Sequence, residues 1–271
     1  MEGARREVGA EHIQGESMIS YKAVYVIVMR EFKRFFRQRG RFIVSMVRPL
    51  IWLFIVGAGF TKIIDVGEGA DYIQFILPGI VGMTILFSSI FSTISVVWDR
   101  EFGFLREMLV APVSRVTIVV GKLLSGTALA VFQGTLLLFI APILGLDVGV
   151  TDFLAMILLM TMLALAITAL GLFVASFLTS LEGFNVIMNF IVLPMFFLSG
   201  ALFPIKAIPK AIRVFSFINP LSYGVDSFKH VLLPAGGRLT PEMPLVLDVT
   251  AIAVFAIIMT FSAAIVFDKK K

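Results

Sequence analysis

The sequence predicts an all-α membrane protein: six transmembrane helices, an N-terminal amphipathic interfacial helix, and short re-entrant helices before the last span. Three observations predict it. Hydrophobic residues make up 59% of the 271 positions and charged residues 15%, where soluble domains run near about 45–50% and about 25%. The apolar residues gather into blocks close to the roughly 20 residues that a helix needs to cross about 30 Å of hydrocarbon. The basic residues collect at the ends of those blocks, where they set topology and meet anionic lipid.

Residues 1–19 are polar and contain no apolar core of a signal peptide, so they are expected to form a flexible cytosolic tail. Residues 20–41 follow as a basic amphipathic helix. Tyr25, Val28, Met29, Phe32, Phe35 and Phe36 fall on one side at helical spacing, with Arg30, Lys33, Arg34, Arg37 and Arg41 opposite. Such a helix lies along a membrane surface; a calmodulin-type target or nucleic-acid patch has the same pattern, but this one leads straight into a span.

The remaining chain, 42–271, reads as a six-span domain. The spans are expected near Phe42–Phe60, Phe75–Trp98, Ile118–Leu144, Phe153–Leu178, Phe184–Phe203 and Val246–Phe267. Arg48-Pro49 interrupts the first; the arginine can snorkel to the cytosolic face while the proline kinks or restarts the helix. With both ends cytosolic, ten Lys and Arg up to Arg48 lie inside, joined by Arg100, Arg106, Arg115 and Lys122 and by the three terminal lysines; six of the 23 fall outside. Between the fifth and sixth spans, Ile205–Ile218 and Pro220–Leu233 are helical in pattern but too short to cross. They fit re-entrant helices shielded by protein.

Chemistry is sparse. There is no cysteine, which excludes disulfides and thiolate metal sites. His12 and His230 stand in separate polar segments without ligand-like spacing, so no metal site is expected. Gly121-Lys122 resembles the end of a phosphate-binding loop, but Val116 and Leu123 occupy the positions that need Gly and Ser or Thr. The centres of the second to sixth spans carry no charge, against ion-coupled transport. Gln133, Asn185 and Asn189 are expected to bond between helices, and Gly79/Gly82, Gly171/Ala175 and Ser199-Gly200-Ala201 to let helices approach within the chain. The one segment suited to a protein partner is Asp99–Arg115, a charged cytosolic stretch with Phe102, Leu105, Leu109 and Val110 on it and Pro112 ending its helix.

That stretch and the VTIVVGKLL after it, together with LPGIVGMTILFSSIF at 77–91, FLSGALFPI at 197–205 and INPLSYGVD at 218–226, resemble the second, export-type class of ABC-transporter membrane subunits. Drug-resistance and nodulation-factor export permeases are the most similar in feel. The resemblance runs from about Ser20 onward. It implies a prokaryotic plasma-membrane permease that pairs with a second copy or a related permease above two ABC ATPase subunits, with ATP and Mg held by those subunits and no cofactor or catalytic residue here. It further implies an ATPase-coupling helix of Arg100, Glu101, Phe102, Leu105, Arg106, Glu107, Leu109, Val110 and Pro112. The connecting helix would contribute Arg30, Lys33, Arg34 and Arg37, and the outer gate Pro204, Asn219, Pro220 and Tyr223. Membrane lipid is a partner and nucleic acid is not. The alternatives are a membrane enzyme acting on a lipid-linked substrate and a non-transporting anchor or assembly subunit.

Overall fold

The computed structural model describes residues 20–61, 72–103, 114–233 and 240–269, and within these the chain is helical throughout its regular structure. The sequence-predicted tail, 1–19, lies outside the described residues. Helix α1 (Tyr21–Arg37) opens on Ser20, whose hydroxyl accepts the Ala23 N–H, a standard N-cap that satisfies one free amide. Helix α2 (Arg39–Ile51) contains Pro49 and passes into a π-helical stretch, Trp52–Val56, before α3 (Gly57–Thr61). The break expected at Pro49 therefore takes the form of a widened turn, in which the N–H of Gly57 finds acceptors at Trp52, Leu53 and Phe54.

Helix α4 (Tyr72–Glu101) is the centre of the bundle. Over its most apolar stretch 72% is buried, against 17% for Phe42–Gly59 and for the last span. It packs on α5 (Arg115–Leu138), α6 (Val150–Ala175), α7 (Leu181–Phe197) and α9 (Pro220–Leu232). Helix α10 (Leu245–Lys269) closes the bundle against α6 and α9. Among the described residues five helical segments are long and apolar enough to cross a membrane: Phe42–Gly59, Tyr72–Glu101, Arg115–Leu144, Val150–Ala175 and Leu245–Phe267. Helix α7 is apolar but has 17 residues, about 25 Å at 1.5 Å per residue. It stops at Leu198 because the chain turns through Ser199-Gly200, with Gly200 at φ 75°, a conformation that glycine adopts without steric cost.

After that turn, α8 (Lys210–Ile218) and α9 form a bent pair joined at Asn219, whose Oδ1 accepts the Leu221 N–H while its Nδ2 donates to the Met195 carbonyl. Helix α8 leaves Ile212, Val214, Phe215, Phe217 and Ile218 exposed. Helix α9 is mostly buried, and two glycines bring it in. A Cβ at Gly82 would come within 2.6 Å of Val225, and one at Gly224 within 2.5 Å of Leu163. Both contacts lie well inside α4 and α6, so α9 enters the bundle to that depth.

Close approach is what holds these helices together, because lipid offers little hydrophobic drive for helix to meet helix. Gly79 is the tightest case: a Cβ there would fall 2.3 Å from the Ala201 carbonyl oxygen. Gly171 faces Thr93 in the same way at 2.9 Å, so these small residues mediate contacts inside the chain. Gly79→Ala is expected to destabilise by roughly 1–3 kcal/mol through overpacking, read as a lower melting temperature in detergent. Gly59→Ala, where a Cβ meets nothing within 4 Å, should melt with the wild type.

Candidate coupling and translocation site

Four charged side chains meet at the end of the bundle where α4 finishes and α5 begins. Lys122 Nζ donates to Glu31 Oε1 at 2.8 Å, to Asp99 Oδ2 at 2.6 Å and to Ser95 Oγ at 2.9 Å. Arg30 adds bonds to the same two carboxylate oxygens, at 3.0 and 3.1 Å. Glu31, Asp99 and Lys122 are all buried, and Arg30 is half-buried. Two cations balance two anions and every charge is hydrogen-bonded, the condition under which buried ions are tolerated. Burial alone would push the Glu31 carboxyl up; Lys122 and Arg30 override it and hold the group below its ordinary value.

The local sequence explains how three helices reach one point. The buried stripe of α1 is Ile27, Glu31 and Phe35, spaced one turn apart. Ile27 can sit against α5 only because position 121 is glycine, where a Cβ would lie 2.9 Å from its side chain. Lys122 then follows immediately. The Ser20 N–H also donates to Thr117 Oγ1, fixing the start of α1 on the first turn of α5. Gly121-Lys122 is thus a packing notch followed by the central cation of the cluster. Tyr25, Met29 and Phe36, placed by the pattern on the apolar face, stay exposed, and Lys33 and Arg37 are exposed as well. Arg34 stands over the Trp98 ring at 5.3 Å, and Trp98 packs on exposed Phe102 at 4.9 Å.

Of the sequence-predicted coupling residues, Arg100, Glu101 and Phe102 are described; Leu105, Arg106, Glu107, Leu109, Val110 and Pro112 lie outside the described residues. Arg100 donates to the Ser176 and Leu178 carbonyls, and Glu101 accepts the Leu181 N–H. These two side chains hold the end of α4 to the α6–α7 connection.

Beside the cluster a cavity of about 260 Å³ opens between α1–α2 and α4–α5. Glu31 and Ser95 belong to both cavity and cluster. Further along, Thr84, Ser88, Ser92 and Ser125 alternate with Met83, Phe87, Phe91 and Leu129 in its wall, and Gln133 donates to Ser88 Oγ. Arg48, which interrupts the first apolar segment, is exposed. Its guanidinium stands 5.2 Å over Phe87 and lines the cavity, about 18 Å along α4 from Asp99 at 1.5 Å per residue. A wall mixing hydroxyls, aromatic faces and the two cations Arg34 and Arg48 suits an amphipathic ligand.

At the other end, Pro204 precedes a short 3-10 turn, Pro220 begins α9, and the Tyr223 hydroxyl donates to the Phe217 carbonyl, tying α9 to α8. Asn219 links α9 to α7, as above.

The ABC-2 type transporter family model matches residues 22–233, most of the chain. The chain belongs to the ABC-2 type transporter family. Curated relatives agree with this membrane-permease assignment. The chain is 28% identical over 220 residues to a putative transport permease, ycf38, of Cyanophora paradoxa, covering 79% of this chain and 76% of that one. It is 28% identical over 222 residues to Nodulation protein J of Rhizobium meliloti, covering 80% and 81%. It is 26% identical over 248 residues to the inner membrane transport permease YadH of Escherichia coli, covering 88% and 91%. The four-charge cluster of this permease escaped the sequence reading, which counted Lys122 as a topology signal and placed Asp99 just beyond a span. A signal was present: one acid and one base, Asp99 and Lys122, at the facing ends of consecutive helices.

Lys122→Met should destabilise by about 3 kcal/mol or more, because it strands carboxylates in a buried site; adding Glu31→Gln should recover much of that loss, a non-additivity read from melting temperatures. Glu31 has a depressed folded value, so its contribution is present above its ordinary value of 4.5 and is lost as pH falls through the folded one. Melting temperature should therefore drop as pH falls below 4.5 in the wild type, and drop less in Glu31→Gln.

Proposed function

We propose that this permease is the transmembrane subunit of an ATP-driven ABC exporter, moving an amphipathic, lipid-like or drug-like substrate out of the cytosol or inner leaflet. It crosses six times with both termini cytosolic, α7 and the turn after it supplying the sixth crossing and α8–α9 a re-entrant outer gate. Two copies, or this chain and a related permease, stand on two separate ABC ATPase subunits, which bind ATP and Mg. The setting is a prokaryotic plasma membrane.

The observation that carries this reading is the shared wall between the ionic cluster and the cavity. Glu31 and Ser95 touch both, so a displacement of the 104–113 stretch, which α4 and α5 flank, is transmitted to the cavity through the ends of those helices and the docked α1. The cavity then changes its exposure as ATPase subunits close below, and substrate biases the cycle by its preference between the two states. A second copy is supported by α7. Asn185 and Asn189 lie one turn apart on its exposed side beside Phe190, and their side chains make no hydrogen bond among the described residues. Unsatisfied amides in hydrocarbon call for a protein partner. The enzyme alternative is disfavoured because Arg100 and Glu101 are engaged in holding helix ends.

The test is co-expression with an ABC ATPase subunit, reconstitution in lipid, and measurement of co-purification, ATP hydrolysis and uptake of a fluorescent amphiphile into inverted vesicles. The expected result is a stable complex with ATP-dependent uptake. Leu105→Asp or Leu109→Asp should release the ATPase on size exclusion, a loss of about 2 kcal/mol or more, without lowering the melting temperature of the permease. Arg48→Gln should cut uptake while leaving the complex intact. A folded chain that binds no ATPase and moves nothing overturns the proposal.

A further inference from the structure

Two carboxylates and a histidine, far apart in sequence, meet at the end of the bundle opposite the Lys122 cluster. Asp226 and His230 stand one turn apart on α9, and Asp248 lies in the first turn of α10. One ligand atom from each falls within 4.8 Å of the others. Asp248 decides the reading. It is 0% exposed, and neither of its carboxylate oxygens has a hydrogen-bond partner among the described residues. Oδ2 faces His230 Nε2 at 3.8 Å. A buried carboxylate without a donor is costly and calls for a counter-charge or ligand.

The neighbouring charges leave that need unmet. Asp226 accepts the Glu242 and Met243 amides at 2.8–3.0 Å, and Glu242 accepts those of Ile205 and Lys206. The buried cation beside these three carboxylates is Lys229, 3.9 Å from Asp226 and 5.2 Å from the Phe75 ring centre. Acid exceeds base even with Lys229 charged, and exposed His230 gives the site a way in from solvent.

We propose that Asp226, His230 and Asp248 form a binding site for a divalent transition-metal cation, with zinc the ion that their ligand types match. Imidazole nitrogen with carboxylate oxygen selects zinc or manganese over magnesium and calcium, which prefer all-oxygen shells. Bonds of about 2.0–2.2 Å place tetrahedral ligands about 3.3 Å apart, so the His230–Asp248 gap has to close by about half an ångström. Three protein ligands leave a fourth position for water or for the Met243 carbonyl, which His230 Nε2 already contacts at 2.8 Å; that nitrogen exchanges its proton for the metal on binding. Asp226 keeps its amide bonds when Oδ1 is the ligand, since Oδ1 accepts the Glu242 amide alone and has a second lone pair, whereas Oδ2 accepts both the Glu242 and the Met243 amides. The ion would join α9 to α10 independently of what the permease carries.

The full chain, purified on a tag without histidine, is placed in nanodiscs, stripped with EDTA and titrated with zinc. Bound metal after desalting and melting temperature are both read. The expected result is one zinc per chain with a saturable rise in melting temperature, and affinity weakened about tenfold or more in His230→Gln. His230 is exposed, so that variant folds. Asp248→Asn should also lose zinc, yet melt at or above the metal-free wild type because it removes a buried acid whose oxygens have no hydrogen-bond partner among the described residues. Absence of retained zinc overturns the proposal, as does zinc binding unchanged in His230→Gln. Equal affinity for calcium and magnesium overturns it too, since it would reduce the site to acidic attraction.

Discussion

A buried ammonium with no water to solvate it has to be met by anions in fixed places, and Lys122 is met by Glu31 from α1 and Asp99 from α4. Removing any member leaves an ion exposed to a medium of low dielectric, at a cost comparable with a large part of a domain's stability. Helix α1 is therefore a fixed part of the bundle. Its position is set by charge, refined by the Ile27–Gly121 contact, and sealed by Arg30 at the solvent side. Everything near the cytosolic end in the proposed topology depends on this. The cluster fixes the ends of α4 and α5 from which residues 104–113 depart, and it forms the floor of the cavity.

The same constraint explains why the rest of the bundle uses small residues. Once α4 is surrounded on most sides, affinity between helices comes from van der Waals contact at short range. Gly79, Gly82, Gly171 and Gly224 each occupy a place where a methyl group would collide. The bundle is thus tight around α4 and looser toward its first and last spans, whose outer faces are apolar and free. Looseness is where motion and partners belong, and the cavity lies at that boundary, between the firmly packed α4–α5 pair and the lightly held α2.

Much of this was legible in the chain. Span positions follow from apolar block length, and five of the six expected blocks match the long apolar helical segments closely. The fifth, Phe184–Phe203, was legible as apolar but not as a 17-residue helix, because the chain turns at Gly200, whose φ is positive and which sits against Ile205, while Ala201 after it meets Gly79 of α4. The basic face of α1 was visible; its buried stripe was not, since Glu31 looks like a surface residue until Lys122 is brought to it across 91 positions. Arg48 was legible as an interruption of the first span, but its ring partner Phe87 was not, because helical position alone does not tell which neighbour offers an aromatic face. His230 read as isolated because Asp248 comes from another helix. Periodicity reports faces, whereas sites made between helices need the packing.

Helix α4 ties the two polar ends into one mechanical unit. Asp99 belongs to the Lys122 cluster at one end, and at the other Phe75 packs under Lys229, the cation of the Asp226–Asp248 group. From Phe75 to Asp99 the helix rises about 36 Å at 1.5 Å per residue, and it continues as one helix through Pro78. A helix buried along most of its length cannot bend locally without opening voids, so displacement at its foot is transmitted as a shift or tilt of the whole rod. That motion would act on the cavity wall at Phe87 and Ser92, and on the Gly82–Val225 contact that seats α9. In the proposed cycle one rigid element therefore links the partner-facing loop, the cavity and the opposite gate, and the charged groups at its two ends set how far it can travel.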